Sequence, residues 1–188
     1  PRRADENIII LYENDVHCQI EGYTKLAALK NDLKTEDNYV GVVSIGDYIQ
    51  GGSIGAISQG EYIVNLMNKV GYDALTLGNH EFDLGASENG HQALVNFIKA
   101  ANFPVLTANI DFSKDAKFDG LFTDGVTENA ENGEIYSAIV KEVDGEKVGI
   151  FGLTTAETAD ISSPGSVAFE NYIEEAQKAV DALEEQGI

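Results

Sequence analysis

Short apolar runs alternate with amphipathic stretches through the first hundred residues. Asn7 to Glu13 is apolar almost throughout and reads as a buried strand, as do Tyr39 to Ile45 and Asp73 to Leu77. Between them, Tyr23 to Lys34 places Tyr23, Leu26, Ala27, Lys30 and Leu33 near helical spacing. Glu61 to Val70 puts Tyr62, Ile63, Leu66, Met67 and Val70 on one side, with Gly71 as its C-terminal stop. Gly46 to Gly60 reads as a glycine-rich loop. Ser87 to Ala101 reads as a third helix, N-capped by Ser87, with Leu94, Phe97, Ile98 and Ala101 facing the core. Pro104 to Thr107 is a short fourth strand. This alternation predicts a parallel sheet covered on both faces.

The second half changes rhythm. Asn109 to Gly133 is rich in Asp, Asn, Gly and Lys and reads as a long surface excursion. Ile135 to Val143 and Lys147 to Leu153 flank Asp144-Gly145-Glu146, a hairpin signal that appends an antiparallel pair. Asn171 to Gln186 reads as a helix with Ile173, Ala176, Val180 and Leu183 inward and its glutamates outward.

Three of the expected strands end in metal-ligating side chains: Asp15 and His17, then Asp47, then Asn79 with His80. Asp15, Asp47 and Asn79 are spaced 32 residues apart. A βαβ unit takes about 30 residues or more, so consecutive parallel strands would bring all of these groups to one sheet edge. That is the carboxyl edge, where open α/β sheets bind ligands. In an extended segment Asp15 and His17 would point to the same side and share one ion. The two oxygens of Asp47 suit a bridge between two ions, and Asn79 offers an amide oxygen to the second. Mixed oxygen and nitrogen donors fit Zn²⁺, Mn²⁺ or Fe²⁺. Gly46, Gly51, Gly52, Gly78 and Gly85 would let these loops turn sharply.

Composition narrows the partners. Twelve basic residues face 32 acidic ones, for a net charge of −20. A duplex nucleic acid or an anionic membrane surface prefers a basic partner. A small phosphorylated substrate would need bound cations to reverse the local sign. No stretch approaches the roughly 18 apolar residues of a membrane span. Pro1 to Glu6 contains no apolar leader region, though a mature chain would already have shed one. Cys18 is the only cysteine; it excludes an intrachain disulfide and reads as a packing residue beside His17. His91, inside the expected third helix, reads as a surface residue.

Asn14-Asp15-Val16-His17, Gly46-Asp47-Tyr48-Ile49-Gln50-Gly51-Gly52 and Gly78-Asn79-His80-Glu81-Phe82-Asp83 resemble the first three motifs of the calcineurin-like metallophosphoesterases. The last is similar to that of the 5'-nucleotidase branch, which includes UDP-sugar hydrolases and 2',3'-cyclic phosphodiesterases. The hairpin from Val143 to Thr154 is similar to that branch too, and the resemblance covers nearly the whole chain. It implies the N-terminal part of a four-layer α/β/β/α sandwich, a mixed sheet with parallel βαβ units and an appended antiparallel hairpin. It implies two divalent ions, zinc or manganese, with Asp15 and His17 on the first, Asp47 on both and Asn79 on the second. His80 would face the substrate phosphate and Asp83 would orient it. The activity implied is hydrolysis of a nucleotide phosphate ester by a secreted, periplasmic or cell-surface enzyme.

The family completes its metal site with a histidine after a further strand and a Gly-His-x-His segment, and this sequence has only His17, His80 and His91. The expectation is therefore a chain truncated before the last ligands, with a partial site and little phosphatase activity when isolated. Uncovered strands would favour self-association. Two other readings stay open: cyclic-nucleotide phosphodiesterase or UDP-sugar hydrolase activity, and a non-catalytic metal-binding or interaction module.

Overall fold

The computed structural model describes residues 7–34 and 38–188, so the charged segment Pro1 to Glu6 lies outside the described residues. Strand β1 (Asn7–Glu13) leads through helix α1 (Glu21–Leu33) to β2 (Asn38–Ser44). Helices α2 (Gly52–Ser58) and α3 (Glu61–Val70) then precede β3 (Ala74–Thr76), and α4 (Gln92–Ala100) precedes β4 (Val105–Leu106). After β5 (Ile110–Asp111) come β6 (Phe122–Thr127), β7 (Ile135–Val143) and β8 (Glu146–Phe151). The short helix α5 (Thr158–Ile161), β9 (Ala168–Phe169) and α6 (Tyr172–Glu185) follow. A seven-stranded sheet runs β1-β2-β3-β4-β7-β6, parallel throughout, with β8 antiparallel to β7; β5 and β9 form a separate two-stranded pair.

The register sets up the site. Glu13 pairs with Ser44, Ser44 with Leu75, and Thr76 with Leu106, so the loops leaving β1, β2 and β3 emerge side by side. Helix α3 buries Ile63, Val64 and Met67, and α4 buries Leu94, Val95, Phe97 and Ile98, in one core with Val42, Leu75 and Val105 from the strands. Each such side chain contributes about 1.5–3 kcal/mol when fully buried. The other sheet face is thinner. Ala74, Leu106, Tyr136 and Ile139 form a small cluster there, whereas Ile10, Tyr12 and Ile45 stay about half exposed or more.

Several expectations change. The glycine-rich loop contains α2. The third helix starts at Gln92, because Ser87 is spent on a turn, its hydroxyl donating to the Leu84 carbonyl at 2.6 Å. The expected excursion over 109–133 carries β5 and β6 and buries Ile110, Phe112, Phe118 and Leu121. Helix α6, N-capped by Asn171, buries Ala179 and Leu183, the latter against the bare Cα of Gly149, and leaves Ile173 and Val180 exposed. The hairpin over β7 and β8 forms as expected, turning at Asp144 and Gly145, both at positive φ.

Candidate metal centre

The three loops at the carboxyl edge are tied into one hydrogen-bonded mat. The Asp15 amide donates to the Gly46 carbonyl at 3.1 Å and the His17 amide to the Asp47 carbonyl at 3.0 Å. The Cys18 thiol donates to the carbonyls of Tyr48 and Ile49 at 3.2 and 3.0 Å, which fixes it as a packing residue. The His80 amide donates to Asp47 Oδ1 at 2.9 Å. A side chain at Gly78 would overlap that carboxylate, so this approach needs a glycine.

Donor atoms of Asp15, His17 and Asp47 all lie within 4.8 Å of one another. They do not converge through strand alternation, as an extended Asp-x-His would. Asp15, His17 and Asp47 sit at φ values of 60°, 45° and 60°, in the left-handed region. Such backbone costs on the order of 1–3 kcal/mol per residue and clusters at functional sites. The His17 Nδ1–H donates to the Gln50 carbonyl at 3.2 Å, and Nε2 meets Asp15 Oδ1 at 2.5 Å. Two carboxylates and an imidazole this close together fit a divalent cation.

Asn79 opens the 3₁₀ turn Asn79–Phe82, beside His80 and half-buried at the same edge. The His80 ring lies edge-on to that of His17, with centroids 4.9 Å apart. Its Nδ1 bonds Asp83 Oδ2 at 2.7 Å, and the two side chains are 40% and 31% exposed. That bond holds the His80 imidazole above its ordinary pKa, against a smaller opposing effect of desolvation.

Two contributors escape a sequence reading. Glu81 is buried and accepts four backbone amides: Asp47 and Gly78 on Oε2 at 2.8 and 2.7 Å, Tyr48 and Ile49 on Oε1 at 2.9 and 3.2 Å. Burial pushes its carboxyl up; the amides of Asp47, Ile49 and Tyr48 act against that, and donors on both oxygens suit the ionised form. Glu81 thus clamps the second loop to the third. Ser162 donates to Asp83 Oδ1 at 2.7 Å from the far end of the sequence. His91 is not at the surface: it is 1% exposed, wedged against Phe82 and Phe118, with Nδ1 on Asp115 at 2.9 Å. It stands outside the cluster.

Residues 9–161 match the family model described as calcineurin-like phosphoesterase. The chain is 34% identical over 203 residues to a trifunctional nucleotide phosphoesterase of Bacillus subtilis, covering 99% of this chain and 14% of that protein. It is 33% identical over 199 residues to a snake venom 5'-nucleotidase of Gloydius brevicauda, covering 96% and 31%. The crystal structure of a 5'-nucleotidase precursor from Thermus thermophilus superposes with a TM-score of 0.81 at 32% identity, over 95% of this chain and 35% of that one. The chain therefore spans about a third or less of the length of these relatives. Sheet order, strand-end loops and the match over 9–161 agree: this chain belongs to the calcineurin-like phosphoesterases.

Proposed function

We propose that the whole protein hydrolyses the phosphate ester of a nucleotide, with a nucleoside 5'-monophosphate as its principal substrate. The observation that carries this reading is the convergence of Asp15, His17 and Asp47 within 4.8 Å at the carboxyl edge of a parallel sheet. In this reading Asp15 and His17 would hold one divalent ion, Asp47 would be shared with a second, and Asn79 would give that second ion one donor; zinc or manganese suits the donor set. Divalent ions held there supply Lewis-acid activation of the ester phosphorus and of water at neutral pH.

The remaining chemistry belongs to side chains. His80, whose bond to Asp83 raises its pKa and so favours the charged ring, faces the phosphoryl oxygens and stabilises the negative charge that grows on them. Asp83 fixes the ring's plane and keeps the proton on Nδ1. Glu81 holds the Asp47 loop rigid, so little reorganisation is needed at the moment of reaction. The net charge of −20 supports a small phosphate ester over a nucleic-acid duplex. The venom relative supports an exported or cell-surface setting. No helix among the described residues is long and apolar enough to cross a membrane.

The likeness to a trifunctional nucleotide phosphoesterase of Bacillus subtilis favours a second, broader reading, for which 2',3'-cyclic nucleotides and UDP-sugars are the added candidates. Chromatography of the products separates the two with added Mn²⁺ or Zn²⁺: adenosine and phosphate from AMP, a nucleoside monophosphate from a 2',3'-cyclic nucleotide, and UMP with glucose 1-phosphate from UDP-glucose. Asp47→Asn in the whole protein should lower turnover by about a thousandfold or more on every substrate. A variant within tenfold of the parent would overturn the assignment.

A further inference from the structure

We propose that Ser162 is a positioning residue for His80, acting through Asp83, so that the segment following α5 sets the orientation of the phosphate-facing histidine. This rests on the functional reading above. Asp83 is held at both oxygens: Oδ2 by His80 Nδ1 at 2.7 Å and Oδ1 by the Ser162 hydroxyl at 2.7 Å. A carboxylate pinned at one oxygen turns about its terminal torsion, which is broad and soft. Pinned at both, it has one plane, and so does the imidazole that bonds it. Ser162 lies 79 residues from Asp83 in sequence, so the contact joins the third strand-end loop to the second half of the fold.

The donor is itself anchored. The Ser162 amide donates to the Thr158 carbonyl at 3.1 Å, and the Thr158 hydroxyl donates to Thr155 at 2.6 Å from a fully buried position. Two residues beyond Asp83, Gly85 is pressed between the Ser163 carbonyl and His91 Nε2, where any side chain would overlap both. The two segments are therefore packed through their backbones, and the serine hydroxyl is delivered to Asp83 by that packing. A serine has one proton to give, and here it goes to the carboxylate oxygen that His80 leaves free.

The test uses Ser162→Ala and Ser162→Thr in the whole protein with two readouts. The first is solvent exchange of the His80 Nδ1 proton, followed by NMR on the ¹⁵N-labelled, metal-free protein. Ser162→Ala should speed it about fivefold or more with backbone amide shifts outside the Asp83 and Ser162 loops unchanged, and Ser162→Thr should restore it. The second is steady-state hydrolysis of AMP with Mn²⁺, where Ser162→Ala should lower kcat about tenfold with KM within twofold, as loss of a supporting hydrogen bond does, and Ser162→Thr should regain most of it. Unchanged exchange in Ser162→Ala, or a threonine variant as impaired as the alanine one, would overturn the proposal. If the parent hydrolyses no phosphate ester, the functional reading fails by itself, and the exchange measurement still decides the link between Ser162 and His80.

Discussion

His80 and His91 make the same bond in two different places. Each ring presents Nδ1 to an aspartate Oδ2, at 2.7 Å to Asp83 and 2.9 Å to Asp115. The His80 pair is 40% and 31% exposed at the mouth of the carboxyl-edge loops; the His91 pair is 1% and 15% exposed between α4 and the turn Ala116–Phe118. What separates them is the surroundings of the rest of the ring. His80 lies edge-on to His17 and open to a ligand. His91 is enclosed by Phe82 and Phe118, and its Nε2 is buried with no hydrogen-bond partner among the described residues. A His–Asp pair is thus a local device for fixing a ring. Whether the ring does chemistry or packing depends on what reaches its other edge.

The comparison breaks most easily at His80. His80→Asn should reduce kcat for AMP about 100- to 1,000-fold, the size expected for losing a preorganised group that meets developing charge, while the denaturant midpoint barely moves. Steady-state kinetics and urea unfolding on one preparation check both halves. His91→Ala should do the reverse. Removing a buried ring and leaving Asp115 Oδ2 without its partner should cost about 2–4 kcal/mol of stability, with kcat per folded molecule within about threefold of the parent. A His91→Ala protein of normal stability and low activity would show that the buried pair belongs to the site after all.

The strand-end motifs are legible in the sequence because parallel strands in register must deliver their following loops to one edge, so spacing alone locates Asp15, Asp47 and Asn79. The way these side chains converge is not legible there. Asp15, His17 and Asp47 adopt left-handed backbone, which non-glycine residues adopt under tertiary constraint, and no local pattern marks it. The roles of Glu81 and Ser162 are hidden for a related reason: their partners lie 32–34 and 79 residues away, apart from the nearby Gly78 amide. His91 misleads a sequence reading because its neighbours Asn89, Gly90 and Gln92 are polar, whereas its burial comes from Phe118 in a segment whose composition suggests a surface loop. In α6 the 3.6-residue stripe is real, but only Ala179 and Leu183 of it are buried, Leu183 against Gly149 on β8.

The smallest effect gives the finest test of what holds the buried pair together. Burial pushes the Asp115 carboxyl up, but the bonds from His91 and from the Lys117 amide outweigh it and hold it below the ordinary aspartate range. A folded-state pKa below the unfolded one means that the unfolded chain binds the proton more tightly. The stabilisation is then complete above the unfolded value of about 3.9 and is lost as pH falls through the folded value. Asp115→Asn keeps the shape and removes the charge. It should cost about 1–2 kcal/mol at pH 6, since hydrogen bonds to a charged group weaken, and the gap between variant and parent should shrink as pH falls below about 4. Urea unfolding of both proteins from pH 3 to pH 7 measures the gap directly. A constant gap across that range would mean that His91 is held by the shape of its aromatic pocket and not by the carboxylate, and the likeness to His80–Asp83 would then be one of geometry alone.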